Sequence, residues 1–125
     1  MAATSVLSTD AEMLAMAGEL VDATGFTDAN KTAWGIQAEN YLCALTNYDL
    51  VTNVATLTAN LKMMLSEYVA RYVASSAIMY NMATVGAVFS SLIEPEDMVQ
   101  FHVYRMEKIE TQLMRGEVLT TLGVV

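Results

Sequence analysis

Apolar residues recur every three or four positions along most of this chain, the spacing that lines one face of an α-helix. The first such segment begins near Thr9, where Thr9 and Glu12 have the spacing of a capping box, and Gly25 ends it. The second begins after Thr27 or Asp28 and is broken at residues 47–49. The apolar positions of the two segments are Met13, Leu14, Ala17, Leu20 and Val21, then Trp34, Ala38, Tyr41, Leu42 and Leu45.

The third segment is the longest and runs from about Thr58 to Met82. It is apolar nearly all round, which is typical of a helix buried on several sides. Its second half belongs to an uncharged stretch from Tyr72 to Ile93, and its first half contains Glu67 and Arg71 in the order that favours an ion pair one turn apart. The segment predicts a long central helix that other parts of the chain surround.

The fourth segment begins with Pro95, which suits the first position of a helix, and ends at Arg115 and Gly116. The β-branched tail beyond it, residues 117–125, favours extended structure that needs a partner edge. We therefore predict an all-α fold with about four helices, one long central helix and an extended C-terminal tail. It forms a single domain, residues 1–125, with a helical part at 1–50, a long helix pair at 55–115 and the tail at 116–125.

Composition indicates that some apolar surface serves partners. Apolar residues make up 54% of the 125 residues, and ten of them are methionines. A chain of this length forms one modest core, and methionine packs well at adaptable interfaces. We expect a homo-oligomer held mainly by apolar contacts.

Acidic residues outnumber basic ones by 14 to 6, for a net charge of −8. Residues 1–61 hold seven acids and only Lys31 as a base, whereas residues 62–125 hold seven acids and five bases. This balance argues against a surface that grips phosphates, but it suits a wall along which DNA slides without sticking. Any DNA contact should be passing and non-specific.

A membrane role is disfavoured. The stretch from Tyr72 to Ile93 is long enough to span a bilayer, but it contains four serines and one asparagine, and its hydrophobicity is only moderate. No basic cluster flanks it, and the N-terminus shows no signal-peptide pattern. Cys43 is the single cysteine, which excludes an intrachain disulfide and fits a reducing compartment.

No catalytic, metal-binding or cofactor-binding set is recognisable in the sequence, and we expect an enzyme least of all. His102, the only histidine, is expected to pack in the core and bond to a carbonyl or water. Glu94, Glu96 and Asp97 fall where a helix N-terminus favours acids. Four tyrosines, Tyr68, Tyr72, Tyr80 and Tyr104, lack the interleaved bases of a nucleic-acid platform, so helix–helix contacts are the better interpretation.

The third and fourth segments resemble the head–tail adaptor, or head-completion, proteins of tailed bacteriophages. The similarity covers roughly residues 55–115 and rests on helical pattern and a few polar positions. It is carried by Leu61–Lys62, Leu65, Glu67, Ala70–Arg71, Ala77–Ile78, Tyr80–Asn81–Met82, Ile93–Glu94, Glu96–Asp97–Met98, Tyr104–Arg105 and Ile109. The resemblance implies a structural virion protein of the neck region, assembled in the host cytoplasm as a ring of about twelve copies below the portal. The ring would extend the DNA channel and dock tail proteins.

Residues 1–50 show no such resemblance, so two alternatives stay open: another small phage protein for decoration or tail completion, or a helical homo-oligomeric binding module. A holin-type membrane protein is less favoured. For the contact between copies, the candidate residues are apolar positions of the long helix, the following connector and the tail: Tyr68, Tyr72, Val73, Met79, Tyr80, Val85, Val88, Phe89, Leu119 and Val124.

Overall fold

The computed structural model describes residues 7–17, 27–84 and 95–115 of the chain. These residues form α1 (Asp10–Ala17), α2 (Asp28–Thr46), a short 3-10 helix (Val54–Thr56), α3 (Ala59–Thr84) and α4 (Pro95–Leu113). No β-strand occurs within these ranges, and the predicted all-α fold with a long central helix is confirmed. The predicted helix end at Gly25 and the tail at 116–125 lie outside the described residues.

Side-chain caps fix the first two helices where the sequence places them. The Thr9 amide donates to Glu12 Oε1 at 2.8 Å, and the Glu12 amide donates to Thr9 Oγ1 at 3.2 Å, which is the reciprocal capping box. Thr27 caps α2, since its Oγ1 accepts from the Asn30 amide at 3.2 Å. Each cap satisfies an amide that the helix itself cannot pair.

A turn built from local polar contacts separates α2 from α3. Asn47 adopts a left-handed conformation with φ of 53°, which asparagine tolerates better than most residues. Asp49 then accepts from the Thr52 amide at 3.0 Å and from the Thr52 hydroxyl at 2.7 Å. These bonds stabilise a tight reversal, and Thr58 caps α3 by accepting from the Leu61 amide at 3.3 Å.

The long helix α3 is the centre of the fold. Its 26 residues extend about 39 Å, and α1, α2 and α4 all pack against it. Apolar residues on several of its sides are buried, as the all-round pattern predicts: Leu61, Leu65, Tyr68, Val69, Ala70, Val73, Ala74, Ala77 and Ile78. The outer helices each contribute a narrower stripe, with Met13 from α1, Leu42 from α2 and Leu113 from α4 fully buried. Cys43 packs half-buried against this core, as a small apolar residue would.

Candidate functional site

The structure separates the predicted interface residues into core and surface. Tyr68 and Val73 are buried inside the protomer, with 3% and 0% of their surface exposed. A side chain without accessible surface cannot contact a second copy, so these two residues belong to the core and their assignment to an interface is wrong. Tyr72 and Tyr80 are half-buried and Met79 is 49% exposed. The remaining candidates, Val85, Val88, Phe89, Leu119 and Val124, lie outside the described residues.

The α3 tyrosines serve contacts between helices, as the sequence predicts. Tyr68 donates its hydroxyl to Glu110 Oε2 at 2.8 Å, and its ring stacks on Tyr41 with centroids 6.3 Å apart. Burial, followed by the neighbouring Glu110 carboxylate, raises the pKa of Tyr68 far above its ordinary value. The Tyr72 hydroxyl donates to Gln37 Oε1 at 3.3 Å. These hydroxyls join α3 to α2 and α4, and the Tyr68 phenol stays neutral at any physiological pH.

Glu67 is the hub of an ion-pair cluster between α3 and α4. Arg71 Nε donates to Glu67 Oε2 at 2.7 Å. Arg105 donates to both carboxylate oxygens, from Nε to Oε2 at 3.0 Å and from Nη2 to Oε1 at 3.1 Å. Burial raises the pKa of Glu67, but the hydrogen bonds from Arg105 and Arg71 outweigh it and hold the pKa below its usual value. The Glu67–Arg71 pair within α3 is therefore part of an ion-pair cluster that also joins α3 to Arg105 of α4.

His102 connects this cluster to α1. Its Nδ1 lies 2.9 Å from Arg71 Nη1 and its Nε2 lies 3.0 Å from the Met16 carbonyl oxygen. Because a guanidinium only donates and a carbonyl only accepts, Nδ1 must accept and Nε2 must carry the proton. Burial and then the Arg71 charge lower the pKa of His102. The prediction of a packed histidine bonded to a carbonyl is confirmed, and both ring nitrogens are occupied by structural bonds.

Two further carboxylates dock the N-terminal part onto the rest of the molecule, and no pattern in the sequence indicates either contact. Glu39 of α2 is 4% exposed, and its Oε2 accepts from the Leu7 amide at 2.8 Å. Glu12 of α1 accepts a hydrogen bond from the Ser66 hydroxyl of α3. Burial raises the pKa of Glu12, but the bonds from Ser66 and Thr9 more than compensate and lower it. Partners 32 and 54 residues apart leave no local pattern to recognise.

A groove of about 580 Å³ opens between α1, the 3-10 helix and the first half of α3. It falls within the size range of ligand sites, but it is open and carries no converging polar groups of a catalytic kind. Methionines dominate its apolar wall, and an exposed lysine lies on one side. The lining residues are Leu7, Glu12, Ala15, Met16, Val54, Lys62, Met63, Met64, Ser66, Glu67 and Ala70.

Large apolar side chains remain exposed on each of the four helices. They include Leu14, Ile36, Tyr41, Met63, Met79, Phe101, Val103 and Tyr104, and Met63 is the most exposed at 71%. Met114, just after α4, is exposed as well. Arg71 lies 5.3 Å from the centroid of the Phe101 ring, and Lys108 lies at the same distance from that of Tyr104. Surface aromatic and methionine side chains of this kind are enriched at protein–protein interfaces.

Among the described residues, no group of three or more His, Cys, Asp or Glu side chains could hold a metal ion. Within the same ranges, no helix combines the length and hydrophobicity needed to cross a bilayer. No protein-family model, curated protein or solved structure matches this chain.

Proposed function

We propose that this protein is a structural virion protein of a tailed bacteriophage. It acts as a head-to-tail adaptor, assembled as a ring of about twelve copies below the portal. The ring extends the DNA channel and offers a docking surface to the tail. The exposed apolar side chains on all four helices carry the proposal, because a small helical protein with such a surface is suited to binding other proteins.

The use of the polar residues supports a structural role. Glu67 pairs with Arg105, and His102 connects Arg71 to the Met16 carbonyl, so these bonds join helices. The bond between Tyr68 and Glu110 does the same on another side of α3. Groups committed to such bonds stabilise a fixed protomer shape, which repeated assembly requires. The net charge of −8 suits a channel wall that DNA must pass without binding.

The native mass of the purified chain tests the proposal. A ring predicts an oligomer of many copies whose mass stays the same as the protein concentration rises. A dimer or a monomer at micromolar concentration would contradict it. Mixing the assembled chain with a candidate portal protein then tests docking, and co-migration in a larger complex is the expected result.

A helical binding module is the second candidate, favoured by the methionine-lined groove. Methionine side chains adapt to different partners, and amphipathic helices bind in grooves of this kind. In that case the protein is monomeric or dimeric. A helical peptide then binds directly in the groove, without first displacing a neighbouring copy. The native mass therefore separates the two candidates.

A further inference from the structure

We infer that the contact between neighbouring copies is made by two different surfaces, the methionine-lined groove of one protomer and the outer face of α2 of the next. This inference deepens the ring proposed above and rests on it. The groove is defined by Met16, Met63, Met64 and Val54, and the outer face of α2 by its exposed residues from Ala33 to Ala44.

The two surfaces lie on opposite sides of the central helix. Tyr72 of α3 points toward α2, since its hydroxyl donates to Gln37, whereas Met63 of α3 lines the groove. Positions 63 and 72 are 9 residues apart, or about 2.5 helical turns, which places them on opposite faces of α3. Surfaces on opposite sides of a protomer generate a head-to-tail contact that repeats from copy to copy, as a ring needs.

The outer face of α2 is suited to burial in an apolar groove. Between Lys31 and Asp49 the only charged side chain is Glu39, which points inward and binds the Leu7 amide. The exposed positions are instead apolar or amide-bearing: Ala33, Ile36, Gln37, Asn40, Tyr41 and Ala44. Docking this face therefore removes no charge from water, which is the main cost that opposes burial of a helix surface.

The groove complements that face in shape and in charge. It is concave, and its methionines can pack around the projecting Ile36, which is 42% exposed. The groove lining also holds Glu67, which Arg71 and Arg105 neutralise, and Glu12, which accepts from Ser66. Lys62 on the groove wall is exposed, and so is Asp49 at one end of the α2 face, whereas Asp28 at the other end is paired with Lys31. Lys62 and Asp49 can therefore form one ion pair at the border of an apolar centre.

Charged substitutions at two exposed positions, one on each surface, test the contact. Ile36→Asp and Met63→Asp each place a carboxylate in the proposed interface without touching the core, so both variants should keep the helical spectrum and lose the many-copy species in sedimentation velocity. Val103→Asp is the matched control, because Val103 is 40% exposed on α4 and belongs to neither surface. It should stay assembled. Assembly of both Ile36→Asp and Met63→Asp would overturn the inference, as would its loss in Val103→Asp.

Cysteine crosslinking distinguishes a head-to-tail contact from a two-fold one. In a Cys43→Ala background, Ile36→Cys and Met63→Cys should crosslink with a short bis-maleimide only when the two variants are mixed. Crosslinking of either variant alone would overturn the inference by showing a symmetric contact. A wild-type chain that is monomeric would contradict the proposed ring itself, whereas an assembled wild type without the mixed crosslink would overturn only this contact.

Discussion

Replacing His102 with glutamine should abolish a pH dependence of stability that the wild-type protein shows between about pH 7 and pH 5. The imidazole accepts from Arg71 at Nδ1 and donates to the Met16 carbonyl from Nε2, an arrangement that only the neutral ring allows. Protonation would place a cation against Arg71 and remove the acceptor. A glutamine amide can also accept at one atom and donate at another, but it does not titrate.

The magnitude follows from proton linkage. The folded pKa of His102 lies below its ordinary value of 6.5, because of burial and then the Arg71 charge, so the unfolded chain binds a proton first as the pH falls. The stabilising contribution is complete above the unfolded pKa and decreases below it, until the pH reaches the folded pKa. One proton gives a slope of at most about 1.4 kcal/mol per pH unit, so the loss of stability by pH 5 has an upper bound of about 2 kcal/mol.

Urea unfolding monitored by circular dichroism, at one protomer concentration and several pH values, measures this effect. The lowered pKa values of Glu67 and Glu12 cost stability only as the pH falls below their ordinary value of 4.5, so these groups contribute little above pH 5. The wild-type free energy of unfolding should decrease over the window while that of His102→Gln stays nearly constant. Parallel profiles for the two proteins would refute the assigned protonation state.

Three further outcomes are expected. Tyr68→Phe should lower the free energy of unfolding by about 1–2 kcal/mol, because it removes a buried hydrogen bond to a carboxylate. Tyr41→Phe should change the free energy of unfolding little, because the Tyr41 hydroxyl lies 3.5 Å from Glu110 on the surface. Denaturant titration of both variants checks this difference. Ser75→Ala should raise thermal stability, by about 1 kcal/mol, because the buried Ser75 hydroxyl finds no hydrogen-bond partner among the described residues; an unchanged or lower melting temperature would contradict this. A ring with a total charge of about −96 should bind short duplex DNA weakly and without sequence preference in a gel-shift assay, and tight specific binding would contradict a conduit.

Helix boundaries could be predicted from the sequence because caps act locally. The side chains of Thr9, Thr27 and Thr58 each accept a hydrogen bond from the amide three residues ahead. Pro95 fixes its own backbone angle φ. A few consecutive residues are therefore enough to show where each helix begins. The packed state of His102 could also be predicted, since a lone histidine on an apolar face needs a nearby acceptor.

The direction in which each face of α3 points could not be predicted. A helix that is apolar nearly all round gives no sign of which of its sides faces the core, so its pattern places Tyr68 and Val73 at an interface although both are buried. Long-range polar contacts were invisible for a related reason. Glu39 meets Leu7, and Arg105 meets Glu67 from 38 residues away, only once the helices have packed.

Electron microscopy of the purified wild-type chain tests the central claim most directly, since it shows the shape of the assembly as well as its size. Class averages should show a closed ring with an open central channel and about twelve repeating units. Particles the size of a single protomer or of a compact two-fold dimer, with no channel, would contradict the adaptor.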